Sequence, residues 1–310
     1  MAHLNSAKIF LLKLCYNHKN IKRNVLLTVA HSPDADDIFM YYAINLGWIN
    51  DEGLRFKNQA LDIQTLNEEA IKGTFDITAI SFGLYPLIKN DYALLRTAVS
   101  FGEGYGPKLV KKKDKKLKKN FKLALSGKHT TNALLFKMIY PDAKIIYKNF
   151  LEIEGAVLSG EADAGALIHE SILGFSDELV VERELWDIWL ELSKKELPLP
   201  LGGMGVRRSM PLLKASQCEK ILTDAVRVAN DSKALLSKML LERGLFRVDA
   251  KTLDKYLDMY ANDESISMSD LQFEAINRLF ELGFEHGYYK KMLDVREYLI
   301  PKEYEKLRFS

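Results

Sequence analysis

The chain has 310 residues, 47% of them hydrophobic and 28% charged, and its formal net charge is +2. These values are typical of a globular protein long enough for two domains, and they give no reason to expect a nucleic-acid partner. The two cysteines, Cys15 and Cys218, have neither the spacing of a metal site nor the density of a disulfide framework.

Residues 1–24 contain an apolar stretch at 9–14, which Lys13 interrupts. The stretch is too short to span a bilayer and is not followed by the small residues of a signal-peptide cleavage site. We therefore predict a loosely attached extension over residues 1–24, no membrane partner, and a cytoplasmic location.

Strand and helix patterns alternate through the first third of the chain. Ser32 and Asp34 are favourable N-cap residues at the start of a helix, and Gly73 is placed to end the next helix. Apolar runs bounded by turn residues predict strands, and apolar residues at helical spacing predict helices. In chain order the predicted elements are a strand at 25–30, a helix to about 48, a strand at 55–61, a helix ending at 73, a strand ending at 81 and a strand at 93–99.

A glycine-rich segment at 101–107 and the sequence Leu-Pro-Leu-Pro-Leu-Gly-Gly at 197–203 predict two crossovers between lobes. Between them we expect strands at 121–125 and 144–147, a strand leading to His169, intervening helices, and a helix at 186–192. Beyond residue 209 the pattern is helical, and we expect these helices to pack on the first lobe. The predicted domains are the extension 1–24, a first lobe of residues 25–104 and 204–310, and a second lobe of residues 105–203.

The stretch 111–119 is rich in lysine but is broken by Asp114 and Leu117. No aromatic residues alternate with the lysines, as they do in many single-strand nucleic-acid sites. We interpret the stretch as a solvated loop or edge and predict no nucleic-acid partner.

One order of elements occurs twice: strand, serine, helix, strand, helix, Gly-x-x-Asp, strand. The first copy closes with Gly73-Thr-Phe-Asp76 and a strand to Ser81, and the second closes with Gly160-Glu-Ala-Asp163 and a strand to His169. In parallel sheets, ligands bind outside the carboxyl ends of the strands. The sequence therefore predicts a mixed α/β protein with two lobes around one central cleft.

His169 would be delivered to this cleft by the strand before it. A histidine that is simply hydrogen-bonded at a strand end is the plainer interpretation of this residue alone. An imidazole beside a bound anion, however, suits general acid–base catalysis near neutral pH. Hydrolysis by a Ser-His-Asp triad is not supported, because no Gly-x-Ser-x-Gly segment is present.

The strand-to-helix segment from Ser126 to Asn132 is the best candidate anion site. The N–H groups of a first helical turn lack intrahelical partners and, with the helix dipole, favour an anion. Thr131 and Asn132 add side-chain donors, although capping by Thr130 alone would also explain the pattern. Because the segment does not match a phosphate-binding loop, a carboxylate is at least as good a ligand as a nucleotide.

Ser81 is expected to face this helix start across the cleft, with the backbone groups of Ala79 and Ile80 beside it. Asp34, Asp36 and Asp37 cluster at the first helix start, where carboxylates complement the helix dipole. They have no companion histidine cluster, so we interpret them as capping and solvated residues and predict no metal site.

Several segments resemble one known family. They are His-Ser-Pro-Asp-Ala-Asp-Asp-Ile-Phe at 31–39, Ile80-Ser81, Gly106-Pro107, Ser126-Gly127 with Thr131, Leu-Ile-His-Glu at 167–170, the 197–203 segment with Val-Arg-Arg at 206–208, and Tyr-Ala-Asn-Asp at 260–263. Together they resemble the 1,4-dihydroxy-6-naphthoate synthase family of the futalosine pathway of menaquinone biosynthesis. The likeness runs from about residue 25 to the C-terminus.

The resemblance implies a two-lobed fold like that of type II periplasmic binding proteins, used here for catalysis. It implies a lyase without metal or organic cofactor that converts cyclic dehypoxanthinylfutalosine to 1,4-dihydroxy-6-naphthoate and dihydroxyacetone. It assigns His169 as the general base that takes a proton from a sugar hydroxyl. It places contacts to this small anionic substrate at Ala79-Ile80-Ser81 and Thr131-Asn132, where the helix start suits the aryl carboxylate.

The chain departs from the family at Asp34-Ala35-Asp36, where many members carry Cys-Pro-Asn. Extra carboxylates repel an anionic ligand unless they face solvent or bond sugar hydroxyls, so the role of this turn is left open. Two alternatives also stay open: the chorismate dehydratase of the same pathway, and a non-catalytic protein that binds a small anion. The Ile168-His169-Glu170 strand end favours the synthase over the dehydratase, and the lack of an export signal disfavours a binding protein.

Overall fold

A computed structural model describes residues 25–50, 53–244, 249–260 and 263–301. The predicted extension 1–24 lies outside these residues. Within them, no helix is both long and apolar enough to cross a membrane.

The first lobe is built on a twisted mixed sheet with helices on its faces. Its strands and helices up to the first crossover are β1 (Val25–His31), α1 (Ala35–Asn45), β2 (Leu54–Ala60), α2 (Ile63–Lys72), β3 (Ile77–Ser81), α3 (Tyr85–Ile88), β4 (Tyr92–Leu94) and β5 (Ser100–Gly102). All five residues of β3 are buried, because this strand lies inside the sheet beside β1 and is covered on both faces. As predicted, α2 ends at Gly73, which takes the left-handed φ of 69° that glycine tolerates.

The predicted strand at 93–99 is shorter in the structure. Only its first residues belong to β4, and Ala98 has a φ of 55°, which no strand residue adopts. The chain leaves the sheet at this point and enters it again as β5.

The elements of the second lobe are β6 (Lys108–Lys112), β7 (Lys122–Leu125), α4 (Thr131–Ile139), β8 (Lys144–Tyr147), α5 (Ile153–Ser159), β9 (Ala164–Leu167), β10 (Leu179–Glu184) and α6 (Leu185–Ser193). Its strands form a sheet of their own in the order β10-β6-β9-β7-β8. The lysine-rich stretch is only partly the loop that was predicted, since its first residues belong to β6, an internal strand. There Lys111 pairs with Glu182 of β10 at 2.6 Å.

The two predicted crossovers pair with each other. Strand β11 (Leu199–Arg207) begins opposite β5, with Leu199 beside Gly102, and then runs between β3 and β4. The predicted lobe boundary at residue 203 therefore falls inside a strand of the first sheet. β11 fits between its neighbours because Gly202 and Gly203 stand where a side chain would meet Ile80 and Phe82.

The C-terminal helices are α7 (Leu212–Asp231), α8 (Lys233–Glu242), α9 (Ala250–Tyr260) and α10 (Asp270–Glu285). Helix α7 packs on the first lobe, where Cys218 and Leu222 join one core with Val29 and Ile77. Helices α9 and α10 also contact the second lobe, α9 at the 3-10 helix His169–Ile172 and α10 at α6. The C-terminal part thus packs on lobe one, as predicted, and in addition joins the two lobes.

Candidate active site

A cavity lies between the two lobes and is lined by residues of both, among them Ser81 of the first lobe and Asn132 of the second. The six residues predicted to act on or contact a ligand all line it: Ala79, Ile80, Ser81, Thr131, Asn132 and His169. Residues far apart in the sequence are therefore brought to one space, and the part each plays with a ligand stays a prediction.

Strand β9 delivers His169 to this cavity. All four residues of β9 are buried between β6 and β7, and Gly165 lets α5 approach closely, since a Cβ there would lie 2.5 Å from the Ile153 side chain. The chain then turns sharply, and His169 has a φ of 57°. A left-handed conformation is uncommon outside glycine and costs about 1–3 kcal/mol, so the surrounding structure holds it in place.

Two contacts fix the His169 ring. The edge of the Phe150 ring packs against it, with centroids 4.9 Å apart and planes at 80°. On Nδ1, the carboxylate Oδ2 of Asp34 lies 2.5 Å away, and both side chains are largely buried. Asp34 belongs to the first lobe and His169 to the second, so this contact spans the cleft.

The predicted capping and solvation of Asp34 is therefore wrong. Asp34 occupies the N-cap position of α1 but makes no side-chain capping bond, and its side chain is buried. The carboxylate of Asp37 instead accepts a hydrogen bond of 2.7 Å from the Ser32 N–H and ties the turn together. The structural description does not extend to the side chain of Asp36.

Two polar atoms beside this pair are open to a ligand. Ser32 Oγ and Asp34 Oδ1 are buried, line the cavity, and have no hydrogen-bond partner among the described residues. Buried polar atoms are nearly always hydrogen-bonded in proteins. Ligand hydroxyl groups would satisfy both.

His31, at the end of β1, has a structural position. Its Nδ1 donates to the Ser32 carbonyl at 2.7 Å, and its ring stacks on Tyr41 with centroids 4.3 Å apart. Burial lowers its pKa, so the ring stays neutral at pH 7. It holds the turn that carries Asp34.

The start of α4 is the predicted anion site, and its first turn is capped by Thr130, whose Oγ1 accepts from the Ala133 N–H at 3.1 Å. The Thr131 hydroxyl is engaged with the first lobe, where it donates to the Leu201 carbonyl at 2.8 Å and accepts from the Gly83 N–H at 3.0 Å. An anion would therefore be held by backbone N–H groups at the helix start and by Asn132, with the Thr131 hydroxyl serving the contact between lobes.

Replacing Thr131 with valine tests that contact. The change keeps the side-chain shape but leaves the Gly83 N–H without its partner and removes one of the two donors to the Leu201 carbonyl, which still accepts from the Phe82 N–H. The free energy of unfolding is therefore expected to fall by about 1–3 kcal/mol. Urea denaturation measures the loss. Thr131→Ser keeps the hydroxyl and is the matched control; equal stability of the two variants would show that the hydroxyl contributes nothing.

One wall of the cavity was not predicted from the sequence, because the C-terminal helices contain no catalytic or ligand-binding motif. Val226, Ala229 and Asn230 of α7 and Tyr256 and Tyr260 of α9 line the cavity. The Asn230 amide nitrogen is buried without a hydrogen-bond partner in the part of the chain that the structure describes. Tyr260 could have been found, because it lies in one of the segments that carry the family resemblance.

A family model described as menaquinone biosynthesis matches residues 27–285. The chain belongs to this family. Two curated relatives bear the name 1,4-dihydroxy-6-naphthoate synthase, which confirms the resemblance seen in the sequence. The Streptomyces coelicolor protein is 26% identical over 271 residues, covering 84% of this chain and 94% of that protein. The Thermus thermophilus protein is 28% identical over 184 residues, covering 59% of this chain and 67% of that protein.

Several solved structures have a fold similar to that of this chain. A crystal structure of an Archaeoglobus fulgidus protein is 32% identical with a TM-score of 0.79, covering 85% of this chain and 98% of that one. The periplasmic aliphatic sulphonate-binding protein of Escherichia coli is 13% identical with a TM-score of 0.60, covering 92% of this chain and 99% of that one. The second likeness concerns the fold alone, and it confirms the predicted two-lobed binding-protein architecture.

Proposed function

We propose that the protein is a cofactor-independent lyase that converts cyclic dehypoxanthinylfutalosine to 1,4-dihydroxy-6-naphthoate and dihydroxyacetone in the cytoplasm. His169 is the general base. The observation that carries this proposal is the cavity between the lobes, which holds the His169 imidazole together with the helix start of α4 and the end of β3. Membership of the menaquinone biosynthesis family and the names of the two curated relatives support it.

The reaction needs a base at a sugar hydroxyl. When His169 accepts the hydroxyl proton, the electrons of that O–H bond form a carbonyl as the neighbouring carbon–carbon bond breaks. The electron pair of the broken bond moves into the bicyclic fragment, which becomes the aromatic naphthoate. The imidazolium then returns the proton, so the two products together contain every atom of the substrate.

The cavity offers a place for each end of the substrate. The aryl carboxylate lies at the start of α4, where backbone N–H groups and the helix dipole favour negative charge, with Asn132 beside it. The sugar end lies at His169, where Ser32 Oγ and Asp34 Oδ1 are positioned for hydroxyl groups. In this orientation Asp34 faces hydroxyls and is kept apart from the carboxylate, which avoids repulsion between like charges.

Mass spectrometry of the purified protein incubated with cyclic dehypoxanthinylfutalosine tests the proposal. We expect the substrate mass to be replaced by those of 1,4-dihydroxy-6-naphthoate and dihydroxyacetone in equal amounts. In a parallel incubation, chorismate is expected to remain unchanged. Dehydration of chorismate would identify the sister dehydratase, and tight binding of the first compound without turnover would identify a binding protein.

A further inference from the structure

The Asp34 side chain does not cap α1, although the position of Asp34 in the chain predicts that it would. It stands at the N-cap of α1 with the extended backbone of a capping residue, φ −73° and ψ 158°, yet its side chain caps nothing. Asp37 secures the same turn through the Ser32 N–H. The Asp34 carboxylate is thereby available to the cavity.

The Asp34 carboxylate contacts the imidazole of His169, which belongs to the other lobe. Asp34 follows β1 in the first sheet, whereas His169 follows β9 in the second sheet. Their side chains are 8% and 15% exposed, and Oδ2 lies 2.5 Å from Nδ1. A hydrogen bond this short, largely shielded from water, fixes the ring strongly.

The contact also decides which ring nitrogen can act as a base. A carboxylate oxygen accepts a hydrogen bond and has none to donate, so Nδ1 carries the ring hydrogen. The neutral ring then carries its lone pair on Nε2. When Nε2 takes a proton, the nearby carboxylate stabilises the positive imidazolium that results.

We infer that Asp34 is a positioning residue for the general base His169. Asp34 belongs to the first lobe and His169 to the second, so the base has its positioning residue only where the two lobes are in contact. Two other contacts between the lobes accompany this arrangement, Thr131 with Gly83 at 3.0 Å and the Lys128 N–H with the Gln64 side chain at 2.7 Å. The tautomer of the base therefore depends on how the two lobes pack against each other.

The inference rests on the proposed function, and steady-state kinetics of Asp34→Asn test it. The amide keeps the size of the side chain but loses the charge, and it can donate to Nδ1 and favour the wrong tautomer. We expect kcat to fall about 10²-fold with little change in KM. A rise in KM with kcat unchanged would show that Asp34 is only a latch between the lobes, and an unchanged kcat overturns the inference. Asp294→Asn is the matched control, since Asp294 caps the 3-10 helix Val295–Tyr298 away from the cavity and is expected to leave kcat unchanged.

A second measurement needs no substrate and so stands apart from the proposed function. Nitrogen-15 NMR of the histidine rings is expected to show the Nδ1–H tautomer for His169, whose signals are identified by their loss in His169→Asn. In Asp34→Asn that tautomer is expected to decline. If the tautomer is the same in both proteins, Asp34 does not position the ring, whatever the activity. If the wild-type chain has the Nδ1–H tautomer but no lyase activity, the proposed reaction fails while the contact stands.

Discussion

Replacing His169 with alanine is expected to lower kcat for cleavage of cyclic dehypoxanthinylfutalosine by about 10²–10⁴-fold, the usual contribution of a general base. Histidine is the side chain best suited to proton transfer near neutral pH. His169 lines the cavity, and its Nδ1 lies 2.5 Å from the Asp34 carboxylate. Substrate affinity is expected to change little, since the helix start of α4 remains. Single-turnover kinetics and calorimetric titration measure the two quantities separately.

Because His169 has a φ of 57°, alanine also adds backbone strain at this position. His169→Asn is the matched variant, since asparagine tolerates the left-handed region and has no base to offer. Both variants are expected to show the same fall in kcat, with His169→Asn the more stable. His286→Ala is the control: His286 ends α10, and its ring bonds the Leu282 carbonyl at 2.9 Å, outside the cavity. Full activity of His169→Asn would show that His169 is not the general base.

The sequence predicted the strand ends that carry the site because their pattern is local. In both Gly-x-x-Asp copies the helix stop, the turn and the buried strand lie within about ten residues, so they fix where Ser81 and His169 leave the sheet. Both residues do reach the cavity. The two-lobed architecture followed from that repeat, and it is confirmed by the solved structures of similar fold.

Asp34 could not be predicted in the same way. Along the chain its neighbours are a serine, a proline and a helix start, which is the usual setting of a capping carboxylate. Its actual partner, His169, lies in the other lobe, and no local pattern links the two. Contacts between lobes depend on how the lobes meet, and that depends on many residues at once.

The wall formed by α7 and α9 was missed for a related reason. Helical periodicity shows which face of a helix is apolar, and both helices present such a face to a core. Asn230 lies next to that face and Tyr256 belongs to it, so both look like ordinary residues of a packed helix. Only the tertiary packing of these helices places them at the cavity.

The largest expected loss of stability comes from Trp189 of α6. Its ring is fully buried in the core shared by both lobes and α10, and its Nε1 donates to the Leu197 carbonyl at 2.7 Å. Trp189→Ala is expected to lower the free energy of unfolding by about 3–5 kcal/mol through lost burial and a cavity. The free energy of unfolding of a whole protein is typically about 5–15 kcal/mol, so this loss is a large fraction of it. The urea midpoint of unfolding measures it.

Trp189→Phe separates the two parts of that loss. Phenylalanine keeps most of the ring volume but cannot donate to Leu197, so its cost is expected to be about 1–3 kcal/mol from the unpaired carbonyl. Leu197 lies just before β11, which carries Leu201, Gly202 and Gly203 to the cavity, so the bond also anchors the return to the first lobe. Equal losses in the two variants would mean that the hydrogen bond, and not the packing of the ring, holds α6 in the shared core. Because Trp189 does not touch the cavity, both variants are expected to keep the wild-type kcat when folded.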